Sequence, residues 1–186
     1  MAVQDTGWLS PSTTLNDLGW MNPANVYALD SVYAVGMGMS GMETPYHRIY
    51  QFGGAGGLAA AVSTATAILG IEVRINGQLS AIPPYSYMFV GNAPSGAPQN
   101  ANGSEKSMNT MPISPSAFAY TTWGGPTDLW GGKQGGGSWV KADFDNNFGV
   151  SGAWAGPVTV TIDHIQLKIY FDAPSTLRSR TMMMGV

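Results

Sequence analysis

Two histidines, one lysine set among glycines, a knot of acids and a run of tryptophans carry most of the chemistry open to this 186-residue chain, which has no cysteine. His47 stands alone. His164 follows Asp163 directly inside an alternating stretch, so the two side chains point to opposite faces of a strand. That separation disfavours both a metal pair and a base–orienter pair. A bulge would bring them together, but no third ligand or nucleophile is spaced to complete either set. A structural or surface role is expected for both histidines. GGAGGLA at 53–59 lacks the G-x-G-x-x-G spacing of a dinucleotide loop. GGKQGGG around Lys133 has Gln134 where a phosphate loop needs Ser or Thr, and Thr127 where its first Gly belongs. Both read as glycine-rich turns. Asp143, Asp145, Asn146 and Asn147 offer the oxygens a calcium ion takes, without the usual downstream bidentate Glu. Asx-rich turns have the same composition. Trp123, Trp130, Trp139 and Trp154, with Tyr120, could stack on sugars or plug the ends of a core.

The composition narrows the field. Charged residues are 10% of the chain against about 25% in an ordinary soluble domain, so part of the surface is expected to face a protein partner. A net charge of −3 gives no basic face for nucleic acid. Without cysteine there is no disulfide or thiolate metal site, and the redox compartment stays open. MAVQDTGWLS has no charged segment followed by an apolar one, so no secretory leader is visible. The least polar run, 53–71, is broken by Gly, Ser and Thr and is too polar to span a bilayer. A soluble protein made in a host cytoplasm is expected, without a membrane partner.

The elements follow from periodicity. Val158, Val160 and Ile162 share one face of a strand. Beyond Asp163 the apolar set moves to Ile165, Leu167, Ile169 and Phe171. A phase change of this kind marks a bulge or corner, and the segment is expected to close an antiparallel sandwich. Ile71, Val73 and Ile75 alternate up to Asn76-Gly77, the strongest short hairpin signal in the chain. Residues 26–36 and 46–52 predict further strands, and 58–67 a loop leading into one. The pair Pro83-Pro84 puts the strand of residues 79–90 on an edge or bends it. Residues 91–115 read as a long surface loop, and the residues before Gly19 as loop. Short strands with Gly/Pro turns and no helical period predict one all-β domain.

Five stretches, in order, resemble a β-sandwich module of tailed-bacteriophage virion proteins. GWMNPANVYALDSVYAV is similar to its W-x-N-P-x-N-x-x-x-x-D-x-x-Y-A opening, and TATAILGIEVRI to its A-T-I-x-G-I-x-V-x-I strand. YTTWGGPTDLWGG, SWVKADFDNNFGV and VTIDHIQLKIYF resemble its Y-G-G-x-x-D-L-W-G, W-x-x-x-D-[IF]-N-x-x-x-F-G-V and V-D-x-[IV]-x-[IL]-x-[IV]-Y-[YF] segments. The likeness covers most of 19–172. It implies a jelly-roll-like antiparallel sandwich with extended terminal arms, no catalysis and no cofactor. Residues 1–18 are then an N-terminal arm, 19–172 the sandwich and 173–186 a C-terminal tail.

The function expected on this basis is a capsid cement or decoration protein. It would be a homotrimer on the virion surface that binds the major capsid protein. A complete small protein from Met1, as this chain is read, fits that use better than a piece of a fibre. The alternatives are a neck, collar or tail-fibre attachment subunit, and a carbohydrate-binding jelly roll. The expected partner-binding residues are Trp8 and Leu9, with Leu177, Arg178, Arg180, Met182, Met183 and Met184 of the tail. Methionines suit adaptable contacts, and each is worth about 1.5–3 kcal/mol when buried.

Overall fold

The computed structural model describes residues 2–14, 20–38, 47–53, 56–84, 86–92, 103–108, 113, 117–133 and 136–174, with backbone alone at 47, 48, 50, 87, 92 and 103–108. Among them, eleven strands form two antiparallel sheets. The larger sheet runs β3 (Trp20–Met21), β4 (Ala34–Met37), β11 (Thr159–Ala173), β6 (Ala67–Leu79) and β9 (Ala119–Gly124), with β1 (Ala2–Asp5) also paired to β11. The smaller runs β2 (Thr13–Thr14), β5 (His47–Tyr50), β10 (Phe148–Trp154), β7 (Ser86–Asn92) and β8 (Gly103–Met108). Apolar side chains of both sheets belong to one buried cluster, from Ile71, Val73 and Leu167 on one side to Ile49, Val90 and Val150 on the other. The chain is an all-β antiparallel sandwich.

β11 is the hub of the larger sheet and not merely its closing strand. One edge pairs with β6 along its length; the other is shared between β4 at Thr159–Ile162, Leu9 at Leu167 and β1 at Tyr170–Ala173. The expected phase change is real: the register with β6 shifts between Ile162 and His164. Asp163 fills the bulge, where its carboxylate accepts the backbone N–H groups of Asp30 (3.2 Å) and Ser31 (3.1 Å).

The same bulge removes the hairpin expected at Asn76-Gly77. β6 passes straight through both residues, which pair with His164 and Ile162. The glycine serves close approach: a Cβ at Gly77 would lie 2.9 Å from the Thr161 carbonyl oxygen. Elsewhere, local propensity yields to pairing. Pro83 and Pro84 fall in the connection before β7, which is therefore an interior strand between β10 and β8. The supposed loop 91–115 contains β8, paired to β7 from Gly103 to Met108. Residues before Gly19 supply β1 and β2. Of the strand expected over 26–36 only Ala34 onward forms, as β4; Val26 ends a 3₁₀ turn, Pro23–Val26, and the alanines near 60 form the short helix α1 (Gly57–Ala61).

The stretch after β9 folds back onto β6. The Trp130 indole Nε1–H donates to the Ile71 carbonyl at 2.9 Å, and the Asp128 carboxylate accepts the Trp130 backbone N–H at 2.8 Å. These bonds hold Trp130 at φ +56, a region few non-glycine residues adopt. Gly70 admits the crossing chain: a Cβ there would stand 2.2 Å from the Gly125 carbonyl oxygen.

Candidate interaction face on the larger sheet

Past the bulge, the even-numbered residues of β11 face away from the core. Cross-strand pairing sets them in rows: His164 beside Asn76 and then Tyr120, Gln166 beside Arg74 and then Thr122, Lys168 beside Glu72. The N-terminal segment runs antiparallel along β11, with reciprocal backbone bonds between Leu9 and Leu167 of 2.9 and 3.0 Å. That register sends Leu9 towards the core and lays Trp8 and Ser10 over the outer face.

One hydrogen-bonded chain crosses this face. The Arg74 guanidinium donates twice to Gln166 Oε1, from Nε at 2.8 Å and from one terminal nitrogen. Gln166 Nε2 donates to Ser10 Oγ at 3.3 Å. Ser10 Oγ lies 2.9 Å from His164 Nε2, and His164 Nδ1 lies 2.8 Å from the Tyr120 hydroxyl. A neutral ring satisfies both contacts by accepting from one hydroxyl and donating to the other, and Ser10 Oγ can accept from Gln166 in either tautomer. Aromatic rings enclose the cations. The Arg74 guanidinium carbon is 4.1 Å from the Trp8 ring centroid and 4.3 Å from that of Tyr120, and Lys168 Nζ is 4.2 Å from Trp8. Such contacts are worth about 0.5–2 kcal/mol each, more as water is excluded. Lys168 also pairs with Glu72 at 3.6 Å, and Glu72 accepts the Tyr170 hydroxyl at 2.6 Å.

Burial sets the protonation states. It lowers the His164 pKa, the Arg74 charge lowers it further, and Asp163 and Asp30 pull the other way. Burial likewise raises Tyr120, and raises Tyr170 with help from its bond to Glu72. A serine hydroxyl on a neutral imidazole is the geometry of a nucleophile–base pair, but Nδ1 meets a phenol and not a carboxylate that would support an imidazolium. What the network does in this structure is fasten the N-terminal segment to β11.

The sequence did not reveal this face, because Ser10 and His164 are 154 residues apart. Of the residues expected to meet a partner, Trp8 is half-buried over Arg74 and Lys168, and Leu9 is half-buried against the core. Leu177, Arg178, Arg180, Met182, Met183 and Met184 lie outside the described residues. The tryptophans expected as one form of sugar face are core instead: Trp123, Trp130, Trp139 and Trp154 are each at most 4% exposed, so they present no ring for stacking. The acids at 143–147 cap turns. Asp143 takes the Lys133 ammonium at 3.0 Å and the Val140 N–H at 2.7 Å, and Asp145 takes the Asn147 N–H at 2.7 Å. Among the described residues no group of three His, Asp or Glu converges on a point. Exposed apolar side chains collect near the Asp163 bulge. Leu29 and Val32 flank the loop that caps Asp163, and Tyr33 stacks on Phe118 at 4.7 Å. No known family model matches the chain, and no curated protein does.

Proposed function

We propose that this chain is a non-enzymatic structural protein of a virion, a capsid cement or decoration protein that binds the major capsid shell as a homo-oligomer, a trimer being favoured. One observation carries the reading. The five stretches that resemble the phage virion module fall mostly on the larger sheet: Trp20 and the start of β4, most of β6, the β9–Trp130 crossing and β11 with its bulge, with the turn into β10 reaching the smaller sheet. The likeness therefore falls on the framework, as expected of a shared module. The surface is in keeping with a protein partner: the chain is poor in charge, and Leu29, Val32, Met37 and Ile82 are each at least 50% exposed. The tail, Leu177 to Met184, adds the sequence of an adaptable contact arm.

The test is sedimentation of the purified protein with expanded phage capsids that lack it, followed by cryo-electron microscopy of the bound shell. Copies repeated over the icosahedral lattice, with binding weakened on deletion of residues 175–186, are expected. Density confined to the portal vertex or tail would move the same sandwich to a neck or fibre. No binding to any virion part would overturn the reading.

A further inference from the structure

The bulge at Asp163 divides the outer face of the larger sheet in two. Past it lie the charges, Glu72, Arg74, His164 and Lys168, with Trp8 and Ser10 laid over them. Before it the outward positions include Met21 of β3, Val35 and Met37 of β4, and Thr159 and Thr161 of β11, set side by side by strand pairing. None of these is charged, and Met21 and Met37 are 50% and 55% exposed. The loop at the margin of this half is tied down. Asp163 holds the N–H groups of Asp30 and Ser31, Asp30 holds that of Val32, and Ser31 sits at φ +64. A backbone so strained persists only where its surroundings fix it. Here it presents Leu29 and Val32 to solvent together with the exposed Asp30. An apolar, preordered surface with an acid at its margin fits an apolar segment that carries cations.

This chain contains such a segment. Arg178 and Arg180 are the only two of its eight cations within three residues of each other, with Leu177 before them and Met182, Met183 and Met184 after. Arg74, Lys133, Lys141 and Lys168 are held elsewhere in the sandwich. We propose that residues 177–184 of one copy dock on this half-face of a second, methionines against Met21, Val35 and Met37 and arginines at Asp30. Reach excludes the tail's own face. Asp163, which holds Asp30, stands eleven residues before Pro174, about 36 Å along a strand. Arg180 lies six residues beyond Pro174, at most about 22 Å away, and an extended side chain does not close the gap. Each copy then offers one tail and one face, a head-to-tail contact that closes as a ring, a trimer among them. The inference rests on the homo-oligomeric part of the reading above, and not on capsid binding.

Mixing two variants tests it, with mass read by light scattering. Arg178→Asp/Arg180→Asp/Met183→Asp spoils the tail and keeps the face. Met21→Glu/Met37→Glu spoils the face and keeps the tail, with Leu29→Glu as a second face variant should that pair fail to fold. The unmodified protein is expected to be an oligomer, and each variant a monomer with a cooperative thermal melt. Mixed, the two should form a one-to-one complex, the tail of one on the face of the other. Asp30→Asn, which keeps the oxygen that holds Val32, should weaken that complex roughly two- to fivefold when added to the tail variant. An unchanged complex would overturn the pairing of Asp30 with the arginines. A tail variant that stays oligomeric would overturn the inference and leave the homo-oligomer standing, as would two monomeric variants that ignore each other. A monomeric unmodified protein would overturn both.

Discussion

A neutral His164 ring accepts from one of its two hydroxyl neighbours, Ser10 or Tyr120, and burial beside Arg74 favours that state by lowering its pKa. Its folded pKa lies below the ordinary value near 6.5, so over the window beneath that value the unfolded chain binds more protons than the folded one. The stabilisation is therefore complete above about pH 6.5 and is lost as pH falls. Thermal melts from pH 7.5 to 5 should show a declining Tm, with lower amide protection factors at residues 6–10 once intrinsic exchange is corrected for pH. His164→Gln, which cannot take up the proton, should flatten that part of the decline; an unaltered slope would remove His164 from the account. Asp163, adjacent in sequence, has a separate task in capping the 30–31 loop.

At the scale of elements, the tryptophans decide between framework and binding surface. Trp130→Ala should cost about 3–5 kcal/mol in urea unfolding, as a large buried truncation does. Trp130→Phe, which keeps an aromatic ring but loses the bond to Ile71, should cost about 1–3. A Trp130→Ala protein of unchanged stability would contradict the packing described. Strand identity was legible wherever period and burial agreed: the phase change at Asp163 announced the bulge of β11, and Ile71, Val73 and Ile75 announced β6. It failed where a local signal had a distant rival. Asn76-Gly77 carries turn chemistry, yet the glycine is needed for passage past Thr161. The segment 103–108, GSEKSM, has no apolar alternation to signal the strand that pairs with β7. Trp8 and Ser10 have no local signal at all, because their partners lie in β6, β9 and β11.

Across the whole molecule, the larger sheet depends on one strand. β4, β6, β1 and Leu9 all pair with β11, and β3 and β9 attach only through β4 and β6. A chain ended at residue 158 should therefore show no cooperative unfolding, and ribosome-arrested chains should stay protease-sensitive until β11 has emerged. Protection acquired earlier would mean the smaller sheet folds alone. Synthesis at about 5–20 residues per second delivers β11 after every strand it organises. Until then β4 and β6 wait with their pairing edges open, an interval in which a holdase chaperone or a neighbouring nascent chain competes for them. The ribosome supplies the strands in the opposite order to the sheet's need for them, so β4 and β6 must stay unaggregated until the last of the described strands arrives.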